Sequence, residues 1–115
     1  MSGAQPEAFL ARAKPAFDRL LRGYGFRPVT EHRDDAAFGS GYVLYRHRAR
    51  WVRLVWDGRE GAAWVEVGEG DSPTAVPGWQ DLESLVTGRP ARISRGGGAA
   101  RLDALRLAAT AYLGR

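Results

Sequence analysis

Two of the carboxylates within the most strand-like part of the chain, RARWVRLVWDGREGAAWVEVG (residues 48–68), raise by their placement the question of a metal site. An Asp at one strand end, an acid on the next strand and a Lys two residues further on can hold a divalent cation and activate water. Asp57 and Glu66 take the first two places, but Gly68 stands where the Lys is needed. Aligning apolar residues across the strands also sets Glu66 opposite Arg53 and away from Asp57. The acids then read as a turn residue and a cross-strand partner, the latter pair contributing roughly 0.2–1 kcal/mol. His32 and His47 are the only histidines. They have neither the paired spacing of a zinc site nor a helix-borne HExxH, and no GxSxG nucleophile elbow occurs. No catalytic residue, metal or cofactor is assigned on this basis.

Anion binding is the next chemistry to weigh. RGGGAAR (residues 95–101) precedes a helical pattern whose first amides, with Arg95 and Arg101, could hold an anion. It matches neither GxGxxG nor GxxxxGK[ST], and a hinge-like helix entrance explains the glycines equally well. A broader candidate is the mixed surface of the central strands, where Tyr42, Arg46, Trp51, Arg53 and Trp64 share one side. Large aromatics give rigid contact area and arginine gives planar hydrogen bonding, a combination enriched at protein interfaces. The same residues could stack on bases and reach phosphates, although their order does not match the RNA-recognition sheet signature. A covering helix would remove either use.

The elements that must position these residues follow from periodicity. Phe9, Leu10, Ala13, Phe17, Leu20, Leu21 and Tyr24 recur at helical spacing, with Pro6 in the first turn and Gly23 and Gly25 at the end. Pro15 removes an internal hydrogen bond, which predicts a kink or restart. Residues 41–46, 51–57 and 62–69 read as a β-meander joined by HRAR and GREG, taken as four-residue turns. Apolar-on-apolar pairing sets Val43 against Leu54, Tyr45 against Val52, Leu54 against Val65 and Val52 against Val67. An earlier strand near 28–33 can join the edge, and residues 91–94 offer a last one. WQDLESLVTG reads as a short helix, and Leu102, Leu105, Ala109, Tyr112 and Leu113 mark a closing one.

A chain of 115 residues with 44% hydrophobic residues and four Trp suits a single domain, taken as residues 1–115. Cysteine is absent, which excludes disulfide and thiol chemistry and fits a reducing compartment, with the cytoplasm as the expectation. No long charge-free apolar run suggests a membrane span or export signal. The net charge is +4, and residues 84–115 hold Arg89, Arg92, Arg95, Arg101, Arg106 and Arg115 against Asp103 alone. Such an excess attracts phosphate or an acidic surface, although the Ala-, Gly- and Arg-rich composition also fits a GC-rich genome.

GYGF (residues 23–26), FGSGYVLYR, VRLVWDGREGAAWVEVG and WQDLESLV together resemble a loose group of small uncharacterised bacterial helix-meander-helix proteins. DGRE stands here where that group more often has DRG. The resemblance implies a fold and a bacterial origin, not an activity. The organisation is also similar to some immunity proteins of bacterial toxin systems, and the element order resembles nucleases of the PD-(D/E)xK kind, whose Lys is missing here. The expectation is therefore an α+β domain: an N-terminal helix, an antiparallel meander of about four strands, a short helix and a C-terminal amphipathic helix. Its expected role is non-enzymatic binding of a protein partner, immunity- or adaptor-like, through one sheet face. A basic chain would match an acidic partner surface. Nucleic-acid binding through the C-terminal arginines and sheet aromatics is the alternative, and a metal-dependent nuclease stands third.

Overall fold

Apolar residues at every fourth position build the first element. Phe9, Ala13, Phe17 and Leu21 form one buried stripe of helix α1 (Pro6–Arg22). In the computed structural model, which describes residues 6–34, 40–89 and 98–114, α1 runs unbroken through Pro15. The predicted restart is absent because Pro15 and Ala11, whose carbonyl loses its helical donor, both lie on the exposed side, where water can take the donor's place. At the helix end Gly25 adopts φ 90°, a left-handed conformation suited to glycine, and the Phe26 N–H returns to the Leu21 carbonyl at 2.9 Å.

Five antiparallel strands follow in sequence order: β1 (Arg27–Asp34), β2 (Ser40–His47), β3 (Arg50–Asp57), β4 (Ala62–Glu69) and β5 (Gln80–Asp81). The fold is α+β, as expected, with one more strand than anticipated. The extra strand is two residues taken from the predicted WQDLESLVTG helix, which begins only at Leu82 because Asp81 caps it: its carboxylate accepts the Ser84 N–H at 2.9 Å. Helix α2 spans Leu82–Thr87 and helix α3 spans Ala99–Leu113. The strand expected at residues 91–94 lies outside the described residues.

The register is the one that apolar pairing dictates: Val43 with Leu54, Tyr45 with Val52, Leu54 with Val65 and Val52 with Val67. Fully burying a Val, Leu or Phe contributes roughly 1.5–3 kcal/mol, several times a polar cross-strand pair, so the apolar face decides the alignment. The β2–β3 turn is tighter than HRAR implied, since His47 pairs with Arg50 and only Arg48 and Ala49 intervene. In the longer turn after β3, Asp57 Oδ1 accepts the Arg59 and Glu60 amides at 3.0 and 3.2 Å.

All three helices pack on the apolar face. Phe9, Phe17 and Leu21 of α1, Leu82 of α2, and Leu105 and Ala109 of α3 share one core with Val43, Tyr45, Leu54, Trp56 and Val65. The Tyr45 hydroxyl crosses that core to donate to Asp18 Oδ1 at 2.7 Å. Burial, then the hydrogen bond to Asp18 and the nearby Asp18 and Glu31 charges, push its phenol far above the ordinary range, with Arg22 opposing weakly. Arg101 fastens α3 to the sheet. Its guanidinium donates to both Glu83 oxygens at 2.7 and 2.9 Å and to the Ala63 carbonyl at 2.6 and 3.0 Å. That carbonyl belongs to a part of β4 beyond the reach of β5, so the arginine satisfies an acceptor that the sheet leaves unpaired.

Candidate interaction face

With the helices gathered on one side, the other side of the sheet carries alternate residues in rows that run across the strands. One row is His32, Tyr42, Val55 and Trp64. The next is Thr30, Leu44, Arg53, Glu66 and Asp81. The last is Arg27, Arg46, Trp51 and Gly68. The five residues expected to contact a partner, Tyr42, Arg46, Trp51, Arg53 and Trp64, thus lie on one face, and no α-helix among the described residues covers it.

They differ in what they present. Trp51 is buried, only 4% exposed, beneath the Arg46 guanidinium 4.9 Å above its ring, and its indole N–H donates to the Gly70 carbonyl at 2.9 Å. It supports the face from beneath and offers almost no contact area. What closes over this end is the chain after β4. A β-carbon on Gly68 would lie 2.4 Å from Val76 Cγ1, so only glycine lets the 70–79 segment rest on the sheet. Arg53 donates to Glu66 Oε1 at 2.9 and 2.5 Å, while its guanidinium lies 4.1 Å from the Trp79 ring centre and 5.9 Å from that of Tyr42. Charge pairing and two aromatic planes hold that fork in a single orientation.

The accessible part of the face is therefore the Tyr42–Val55–Trp64 row, half-buried throughout, with His32 stacked on Tyr42 at 5.3 Å and Trp79 beside Arg53. Trp79 is the residue that sequence reasoning missed. It follows a Pro- and Gly-rich loop, and nothing in its local spacing tells that the loop folds back. Tyr42 and Trp64 are half-buried aromatics on this face.

The other candidates are accounted for elsewhere. Asp57 caps a turn and Glu66 pairs with Arg53, and no group of three or more metal-ligating side chains forms among the described residues. His47 Nδ1 donates to the Gly25 carbonyl at 2.9 Å, with its ring tilted against Phe26. Arg101 does not serve the expected anion site: only 9% of its side chain is exposed and its donors are committed to Glu83 and Ala63. Arg95 lies outside the described residues. Arg106 approaches Asp103 at 3.6 Å, so the described C-terminal helix presents little free cationic surface. No family model, curated protein or solved structure matches the chain.

Proposed function

We propose that the chain is a non-enzymatic binding protein, immunity- or adaptor-like, that engages a protein partner through the helix-free face of its sheet. One observation carries the reading: every described α-helix packs on one side, while Tyr42, Val55 and Trp64 form a half-exposed row across three strands on the other. A rigid aromatic and aliphatic strip beside a pinned, planar arginine provides the apolar anchor and polar rim that protein interfaces use. The flanking Arg27 and Arg46 favour an acidic partner surface. No helix among the described residues is long and apolar enough to cross a membrane. A chain without cysteine suits the bacterial cytoplasm.

A photo-crosslinking amino acid at residue 64, compared with the same group at exposed Arg12, tests this in a lysate of the source cell. Residue 64 should trap a discrete protein that residue 12 does not. Trp64→Ser should then weaken that partner's binding by about 30-fold, the consequence of losing a hot spot of roughly 2 kcal/mol. Equal crosslinking at both positions, or unchanged affinity in Trp64→Ser, would remove the reading.

A further inference from the structure

Five arginines gather where the β2–β3 hairpin turns. Arg27 and Arg46 are cross-strand partners on the helix-free face, Arg50 pairs with His47 on the other face, Arg48 occupies the turn, and Arg22 ends α1. All five are exposed. None of Arg22, Arg27, Arg48 or Arg50 forms an ion pair among the described residues, and Glu69, opposite Arg50, is the acid nearest in the register. Arg22 is also placed to offset the negative end of the α1 dipole, which accounts for one cation but not for the other four.

The turn carries a second, independent signal. Arg48 sits at φ 57°, a conformation that a side chain disfavours and glycine adopts freely. The backbone alone would favour glycine here, yet an exposed arginine occupies the position. Its carbonyl also accepts Arg46 Nε at 2.6 Å, which holds Arg46 over Trp51, while Arg50 lies 5.7 Å from the Phe26 ring centre. The aromatic planes are thus covered by guanidinium groups, and what faces outward is planar cation.

We propose that this arginine-rich end of the sheet binds the phosphate backbone of a nucleic acid. Guanidinium forks match phosphate oxygens. A protein partner would need an exposed apolar centre, and here the aromatics lie under the cations. A lipid bilayer presents one plane, whereas these arginines wrap both faces of a sheet end, a path that a strand can follow. The site shares Arg27 and Arg46 with the edge of the partner face but is distinct from the Tyr42–Val55–Trp64 row and from the C-terminal arginines.

Fluorescence anisotropy with a labelled single-stranded oligonucleotide of about 20 thymidines, between about 50 and 200 mM salt, tests the proposal. If each arginine neutralises one phosphate, log affinity falls against log salt with a slope of about −3.5, and about −1.4 for Arg27→Gln/Arg48→Gly/Arg50→Gln. That variant should bind at least tenfold more weakly at the lowest salt. The single variant Arg48→Gly, which relieves the turn, should fold normally and still lose about 0.7 of the slope. Arg89→Gln/Arg106→Gln and Trp64→Ser should each behave as wild type, the latter separating this site from the partner face. A wild-type slope retained in the triple variant would overturn the assignment. So would the absence of salt-dependent binding in the wild type, or binding to phosphatidylserine vesicles without binding to the oligonucleotide.

Discussion

Replacing Gly68 by Ala tests the contact that lays the 70–79 segment on the sheet and so brings Trp79 to Arg53. A β-carbon at residue 68 would stand 2.4 Å from Val76 Cγ1 and 3.6 Å from Val76 Cβ and Cγ2. Valine is stiff at χ1, so the methyl cannot swing aside freely and the segment must shift. Overpacking of this kind costs about 1–3 kcal/mol. Ala in place of a strand glycine returns about 0.5–1 kcal/mol. Gly68→Ala should therefore destabilise the protein by up to about 2.5 kcal/mol, the difference between these effects. Val76→Ala removes both γ carbons and leaves the β-carbon 3.6 Å away, an ordinary contact. In that background Gly68→Ala should be neutral or stabilising, giving a coupling of about 1–3 kcal/mol in the double-mutant cycle. Urea unfolding of the four proteins, followed by far-ultraviolet circular dichroism, measures it. Additivity within about 0.5 kcal/mol, or a stabilised single variant, would refute the packing of this segment against Gly68.

Three further outcomes are expected. Arg101→Ala should cost about 2–3 kcal/mol in denaturant unfolding, because Glu83 and the Ala63 carbonyl lose charge-assisted donors, and Arg101→Lys should restore less than half because an ammonium cannot span both acceptors. The raised phenol of Tyr45 means that the unfolded chain ionises first as pH rises, so its contribution is complete below about pH 10 and declines through the folded value above it. Tyr45→Phe should cost about 1 kcal/mol at neutral pH and make the alkaline loss of stability shallower, as read from unfolding free energies at several pH values. Arg48→Gly should raise stability by about 0.5–1 kcal/mol in urea unfolding, the left-handed penalty exceeding the added entropy of glycine.

Much of the frame was legible because its signals are local and periodic. The α1 stripe, the meander and its register follow from which side chains share a face, and a slip of one residue would expose Val43, Leu54 and Val65 together. Pro15 misled because its cost depends on whether the freed carbonyl meets water, which is a matter of orientation in the fold. The strand Gln80–Asp81 was hidden because two residues carry no period of their own. On the mixed face, sequence placed Tyr42, Arg46, Trp51, Arg53 and Trp64 together on one side but could not tell that Trp51 is buried or that Trp79 joins them.

The amino-acid sequence alone determined the α+β class, the strand register and the division of the sheet into an apolar and a mixed face, because those depend on side-chain alternation within short segments. Only the tertiary structure decided which face the helices cover, where the loop bearing Val76 and Trp79 comes to rest, and which arginines keep free forks. Arg101 and Arg48 show the difference. Both are arginines, yet one is nearly buried against Glu83 and the Ala63 carbonyl while the other stands exposed at a hairpin turn. Which carboxylate or carbonyl a cation meets is set by contacts between residues far apart in sequence, and those exist only once the chain has packed.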